Sequence, residues 1–258
     1  MSLDKPADLG MRVAAIYDIH GNLPALEAVL RDIRRADVDL VVVGGDVVPG
    51  PMPIETLTCL LDLDIPARFI RGNGECDVLA QMAGTEISHV PEQFRDVVRW
   101  AGEQLAPEHQ RALASWPETL QLALREVGDV LFCHATPRNN TEIFTRLTPS
   151  ERLMSVFEGV NVPLVVCGHT HMQFDRKLGA VRVVNAGSVG MPFGEPGAYW
   201  LLLGPDVQLR CTTYDRAKAA ERIRATTYPQ AHDFAARNVL APPSETDMLE
   251  LYARAELK

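Results

Sequence analysis

Five apolar runs in this 258-residue chain each stop at a residue able to hold a metal ion, and that recurrence constrains the fold more than any other feature. The run from Met11 to Tyr17 is followed by Asp18, Ile19 and His20. On a continuing strand, residues 18 and 20 would leave the same face. Gly21, Asn22 and Pro24 then stop the strand and admit a helix. Val38–Val43 ends in Gly44-Gly45-Asp46, and Pro66–Ile70 ends in Arg71-Gly72-Asn73. Val130–Cys133 ends in His134, and Pro163–Cys167 in Gly168-His169-Thr170-His171. Open α/β sheets bind ligands at the carboxyl ends of their strands. The pattern therefore gathers two aspartates, one asparagine and four imidazoles on one edge of one core.

The segments between these runs fit a layered α/β chain. Leu26, Val29, Leu30 and Ile33 recur at helical spacing, so residues 24–35 are expected as an amphipathic helix capped by Asn22. The strand–helix–strand unit that results implies a right-handed parallel crossover. A second helix is expected at 54–63, and residues 76–118 read as helical and peripheral, anchored by Trp100 and Trp116. Leu120–Val127 and Val130–Cys133 read as a hairpin turning at Gly128-Asp129. A helix follows at 149–158, then antiparallel strands at 173–178 and 181–185 and two more at 199–203 and 207–213. From Asp215 the pattern is helical. No repeat or linker divides the chain, so one domain is expected over 1–258, with a core at about 11–214 and a helical extension at about 215–258. Apolar residues make up 47% and aromatics only 6%, which suits aliphatic strands buried on both faces.

Charge and cysteine usage narrow the partners. The formal net charge of −9 argues against binding to duplex DNA or RNA or to anionic membranes. Small phosphorylated substrates, nucleotides among them, stay open because a metal site carries its own local positive charge. Five scattered cysteines form no C-x-x-C pair, and Cys133 and Cys167 sit in strand-like runs. An odd count without a framework suits a reducing cytoplasm. The first ten residues are polar and carry no signal-peptide core, and no run of 18 apolar residues occurs.

Seven N/O ligands are too many for one four-coordinate ion. They suit two ions that share a bridging carboxylate and keep positions for solvent or substrate. The lack of cysteine ligands disfavours structural zinc. Mixed imidazole and carboxylate ligation fits two divalent ions of manganese, iron, zinc or nickel, and the ligands alone do not choose among them. His89, His109 and His232 lie in polar context and read as surface residues.

In order, Asp18-x-His20, Gly45-Asp46, Gly72-Asn73, His134 and Gly168-His169-Thr170-His171 resemble the five motifs of the calcineurin-like metallophosphoesterase superfamily, over roughly residues 11–214. The Ile19-His20-Gly21-Asn22 start and the loop Asn185–Gly190 are similar to its compact prokaryotic phosphodiesterase branch. The resemblance implies a four-layer α/β/β/α sandwich of two mixed sheets with the site at the strand ends. It implies that Asp18, His20 and His171 hold one metal, that Asp46 bridges, and that Asn73, His134 and His169 complete the second. A hydroxide between the metals would attack phosphorus in line, with Asp46, Asn73 and His171 helping to hold it and the phosphate. The implied substrate is a small phosphodiester, phosphomonoester or phosphoanhydride.

One motif departs from the family pattern. Gly-Asn-His-Asp/Glu is usual at the third motif, with that histidine assisting the leaving group; here Gly74 and Glu75 follow Asn73. A histidine restored at position 74 would then supply the missing donor, and Glu75 is the nearest replacement if its pKa is raised. Asn22, Arg138 and Ser188 are candidate substrate contacts, set against plainer roles as cap, surface charge and turn. Arg71 reads as a structural ion-pairing residue. The rival readings are a non-catalytic scaffold on the same fold and a protein phosphatase. Scaffolds usually lose ligands, and nothing in the sequence describes a peptide groove. Phe234, Leu240, Met248, Leu249 and Leu251 leave open whether the C-terminal segment packs on its own core or on a second subunit.

Overall fold

Neighbouring residues of the first strand face different layers, which explains why its sequence is apolar without alternation. In β1 (Val13–Ile16), Val13 and Ala15 join one buried cluster and Ala14 and Ile16 another. A strand buried on both faces gives that pattern. The computed structural model describes residues 10–88 and 90–257; the polar leader and His89 lie outside them. β1 is the centre of a mixed sheet with β2 (Leu40–Val43), β3 (Ala67–Phe69), β9 (Ala198–Leu203) and β10 (Val207–Thr212), in the order β10-β9-β1-β2-β3. The second sheet runs β4-β5-β6-β8-β7, from β4 (Thr119–Leu124), β5 (Gly128–Cys133), β6 (Leu164–Cys167), β7 (Phe174–Leu178) and β8 (Val181–Asn185). The ligand-bearing strands each pair in parallel with another ligand-bearing strand: β1, β2 and β3 in one sheet, β5 and β6 in the other.

Three apolar clusters separate four layers. Val13, Ala15, Tyr17, Val42, Phe132, Val166 and Leu201 fill the space between the sheets. On the outer face of the first sheet, Ala14, Ile16, Val41 and Val43 meet Leu26, Val29 and Ile33 of α1 (Leu23–Arg35). On the outer face of the second, Val165, Cys167 and Val183 meet Phe144, Leu153 and Phe157. This is the α/β/β/α sandwich. α1 starts where expected: Asn22 Oδ1 accepts from Ala25 N at 3.3 Å, with Pro24 in the first turn. No helix of the described residues is long and apolar enough to cross a membrane.

Several local expectations need correction. β1 ends at Ile16, so Asp18 and His20 are not on a continuing strand; their φ values are 52° and 47°. β3 is an edge strand of three residues, half-exposed rather than buried. The hairpin turns at residues 125–127, because Leu124 pairs with Gly128, whose φ of 86° closes the loop. The 76–118 region holds three helices, α3 (Asn73–Met82), α4 (Glu92–Gln104) and α5 (Pro107–Ser115), and the first starts at Asn73 itself. The helix expected at 149–158 shortens to α6 (Ser150–Met154). The C-terminal segment comprises α7 (Arg216–Arg224), α8 (Ala231–Phe234), a π-helical turn at Ala235–Leu240 and α9 (Glu245–Ala253).

A buried tyrosine also ties the two sheets by a hydrogen bond. Tyr17, beyond the end of β1, donates its hydroxyl to Val166 O of β6 at 3.1 Å, and it is fully buried. Tyr17→Phe removes that bond and should cost about 1 kcal/mol. Thermal unfolding should then shift down by about 2–4 °C for a domain of this size, with the metal content of the protein unchanged. An unaltered midpoint would show that apolar packing alone joins the sheets there.

Candidate metal centre

The turns that follow the strands hold an unusual backbone. Asp18, His20, Asp46, His169 and His171 all have positive φ, between 47° and 66°, so five of the seven candidate ligands are left-handed. Such residues cost about 1 kcal/mol or more each and persist where the surroundings fix them. Here the turns are tied to one another. Asp18 N donates to Gly45 O, His20 N to Asp46 O and Gly21 N to Val47 O, at 2.9–3.1 Å. Gly190 N donates to Asp18 O at 3.0 Å, and Gly168 N to His134 O at 2.8 Å.

Two triads result, and each takes residues from both sheets. Asp18, His20 and His171 form one; Asp46, His134 and His169 form the other, with the ligand atoms of each within 4.8 Å of one another. His171 Nε2 lies 3.4 Å from Asp18 Oδ1 and 3.3 Å from His20 Nε2. His134 Nε2 lies 3.5 Å from Asp46 Oδ2. Two ligands of one ion at bond lengths near 2.1 Å stand about 3.0–3.5 Å apart. Asp46 also faces the first triad, with Oδ2 at 3.7 Å from His20 Nε2, so its carboxylate stands between the two groups.

The four imidazoles are all presented in the same way. His134 Nδ1 lies 2.9 Å from Gly44 O, His171 Nδ1 2.7 Å from Met191 O, and His20 Nδ1 3.3 Å from Pro49 O. His169 is turned over, with Nε2 3.2 Å from Thr141 O. A carbonyl can only accept, so in each ring the outer nitrogen carries the proton and donates it. The inner nitrogen faces the carboxylates, where a cation can take the place of a proton. A metal-ligating histidine almost always donates its other ring N–H to such an acceptor, which fixes the tautomer and the ring's orientation.

Two further atoms make the donor set fit cations. Asp18 Oδ1 is buried and accepts no hydrogen bond. Asn73 points its oxygen at His134 Nε2, 3.1 Å away. Exchanging the amide's oxygen and nitrogen would let its NH2 donate to His134 Nε2 and to His169 Nδ1 at 3.0 Å. With the oxygen inward, it faces the lone pair of His169 Nδ1, an arrangement that a cation between them would stabilise.

The electrostatics give the same account. Burial alone would raise both aspartates, yet His171 and His134 hold Asp18 below its ordinary pKa, and His134 and His20 hold Asp46 well below. Burial would lower His134, but Asp46 and Asp18 raise it to about 10. His171 is raised by Asp18 against the effect of burial. His169 falls to about 4 through burial and the neighbouring His134, and burial also lowers His20. Each triad thus favours one proton, on the imidazole beside its carboxylate, in the space between its ligands.

Glu75 serves the site through the backbone. Its Oε2 accepts from Asp46 N at 2.9 Å and Gly72 N at 2.8 Å, and its Oε1 from Val47 N at 2.7 Å and Val48 N at 3.2 Å. Burial and the Asp46 charge push its pKa up to about 7, against the pull of those donors. The raised pKa matches the expectation for a proton donor, but the position does not, since neither oxygen is left to face a leaving group. Position 74 likewise has no room for a histidine. A Cβ there would lie 2.2 Å from Val48 O and 2.9 Å from Asp46 Oδ1, the atom to which Gly74 N donates at 2.7 Å.

The secondary candidates take up structural positions. Asn22 caps α1 and donates to Gly190 O at 2.9 Å. Ser188 donates to Asp18 O at 2.7 Å and accepts from Met191 N at 2.8 Å. Arg138 is held by Glu142, at 2.6 Å and 3.0 Å. Arg71 lies 3.5 Å from Glu118. His109 accepts from Ala106 N at the start of α5, and His232 is exposed. The sequence carries no sign of the four orienting carbonyls, because any residue type supplies one. It also passed over Phe193, whose ring stacks on His171 at 5.1 Å and 19°.

Comparison with known proteins agrees with this geometry. The sequence matches the calcineurin-like phosphoesterase superfamily domain over residues 11–204. It is 26% identical over 242 residues to an uncharacterized protein of Methanocaldococcus jannaschii, MJ0912, covering 84% of this chain and 94% of that protein. The crystal structure of a metallophosphoesterase from Sphaerobacter thermophilus is similar with a TM-score of 0.71 at 26% identity, covering 90% of this chain and 98% of that one. A hypothetical protein from Pyrococcus horikoshii OT3, PH1004, shares the fold with a TM-score of 0.75 at 20% identity, over 91% of this chain and all (100%) of that one.

Two measurements test the centre. Glu75→Gln keeps one acceptor oxygen and turns an NH2 toward two backbone donors, which should cost about 2–4 kcal/mol. Thermal unfolding should fall by about 5–15 °C, and a shift under about 2 °C would exclude the buttress role. The second concerns protons. With its folded pKa raised to about 10, His134 stabilises the ion-free protein fully below the ordinary histidine pKa, and this is lost as pH rises through about 10. Loading divalent metal near pH 8 should therefore release a proton. Calorimetry in two buffers of different ionisation enthalpy reads this directly, and equal apparent enthalpies would refute it.

Proposed function

This chain belongs to the calcineurin-like phosphoesterase superfamily, and from that premise we propose that it hydrolyses small phosphoesters with two divalent cations, manganese first among them. The observation that carries the reading is the pair of triads, each spanning both sheets, with every imidazole's outer nitrogen bound to a backbone carbonyl. Asp18, His20 and His171 would hold one cation and Asn73, His134 and His169 the other, with Asp46 shared. Cations held there would lower the pKa of water toward about 7 and offset the charge that builds on the phosphoryl oxygens.

The chain's own residues do the positioning. The Gly44, Pro49, Met191 and Thr141 carbonyls orient the rings, and Glu75 fixes the turn that carries Asp46. Both carboxylates are buried and held in their charged forms by the imidazoles around them. What the site lacks is a group at position 74 to protonate a departing oxygen. Its substrates should therefore carry leaving groups that need little protonation: aryl esters, anhydrides or strained cyclic diesters. A full set of seven ligand residues favours the enzyme over a non-catalytic scaffold. Five free cysteines suit a reducing compartment, and we place the protein in the cytoplasm.

Chelation tests the reading. Removing all metal, with elemental analysis as the check, should abolish hydrolysis of a chromogenic aryl phosphodiester and lower the unfolding midpoint. Cations present at a hundredfold their Kd stabilise the folded state by about 2.7 kcal/mol. Manganese should restore both properties. Undiminished turnover without metal would overturn the mechanism, and a fully loaded protein inert toward a whole leaving-group series would point to the scaffold.

A further inference from the structure

The C-terminal segment from Pro243 to Leu257 lies outside the matched family residues, 11–204, yet it is fastened to the two loops that flank the metal centre. At its start Pro243 O accepts from Gly194 N at 2.9 Å, and Glu245 pairs with Arg146. At its end Glu256, only 8% exposed, accepts from Thr148 Oγ1 at 2.6 Å and from Arg152 at 2.9 Å. Leu257 N donates to Ile143 O at 2.9 Å. These loops are the ones whose Thr141 and Met191 carbonyls orient His169 and His171.

Between the anchors, α9 brings Tyr252 to the site. Its ring meets Phe193 edge-on, with centroids 6.2 Å apart at 61°, and Phe193 in turn stacks on His171. Both rings are partly exposed. Three rings therefore run outward from a metal ligand. Holding a cation needs no such row, and an acidic protein of low aromatic content has few rings to spend there. A partly exposed aromatic pair offers edge and face contacts to another flat ring. Because Phe193 lies directly on a ligand imidazole, the ring it receives must be joined close to phosphorus, nearer than a base at the far side of a ribose.

We propose that Phe193 and Tyr252 form an aromatic wall of the substrate site, and that the C-terminal segment thereby selects phosphoesters bearing an aryl group next to phosphorus. The inference rests on the phosphoesterase reading above. It also accords with the vacant donor position at residue 74, since an aryloxide departs without protonation.

The test is calorimetric titration of the manganese-loaded full-length protein with phenylphosphonate and methylphosphonate, neither of which is hydrolysed. Wild type should bind the phenyl compound about five- to tenfold more tightly, the range of an aromatic pair contact. In Tyr252→Ala and Phe193→Leu that ratio should fall to about twofold or less, with methylphosphonate affinity and metal content retained. Tyr252→Phe keeps the ring and should keep the ratio. So should Leu251→Ala, at an exposed residue of the same helix. Should Tyr252→Ala lose metal, Tyr252→Leu keeps the bulk without the ring and decides the question. A ratio near one in wild type, a ratio unchanged in Tyr252→Ala or Tyr252→Leu, or an equal loss in Leu251→Ala would overturn the wall. Failure of the loaded wild type to bind methylphosphonate at all is the distinct result that would bring down the phosphoesterase reading itself, and this inference with it.

Discussion

Two carboxylates buried between two sheets set the terms for the rest of the molecule. Asp18 is fully buried and Asp46 is 3% exposed, and the two sheets meet at their strand ends. A buried charge without a partner is costly by several kcal/mol. The first sheet brings both aspartates, and the second brings His134, His169 and His171 to face them. Neither sheet can satisfy its own polar residues alone. The ligand triads are thus also the junction of the sandwich, and Tyr17, whose hydroxyl reaches Val166 O, reinforces the junction one layer below.

This demand explains the left-handed turns. A strand that simply continued would point Asp18 and His20 along one face, at the spacing of a pleat. The centre needs them converging on a point instead, and a positive φ at each achieves that. Five such residues carry a total strain of about 5 kcal/mol or more, comparable with the whole net stability of a domain. The turns are held because they bond to each other: the Asp18 turn to Gly45 O, the His20 turn to Asp46 O, and the Ser188 loop to Asp18 O.

How much of this was legible in the sequence follows from which groups carry it. Parallel strands buried on both faces give unbroken apolar runs, and the residues just past them stand out by contrast. Hence a layered α/β core and the convergence of seven polar side chains on one edge could be read, while the two-sheet sandwich followed from the family resemblance of the five motifs. The backbone conformation of Asp18 and His20 could not, since alternation along a strand says nothing of the turn after it. Glu75 was legible as an acidic residue near the site but not in its role, because its four partners are backbone N–H groups without a sequence signature. The same holds for the carbonyls of Gly44, Pro49, Thr141 and Met191. Edge strand β3 read as buried because Ala67 and Phe69 are apolar; Phe69 instead stacks on Trp116 at 4.8 Å. Tyr252 was invisible because 234 residues separate it from Asp18, and no period links them.

The glycine at position 74 follows from the same geometry. Glu75 binds the N–H groups of Asp46, Val47, Val48 and Gly72, and so draws the turn after β2 down onto the start of α3. That brings the Val48 carbonyl to 2.2 Å from where a Cβ of residue 74 would stand. It also lets Gly74 N donate to Asp46 Oδ1, fixing the carboxylate that both triads face. A side chain at 74 and a turn this close exclude one another. A histidine there would need the turn to move away, and with it the Asp46 carboxylate. In this chain the backbone at residue 74 therefore holds Asp46 in place, and the help that a side chain could give to a leaving group is absent for a steric reason.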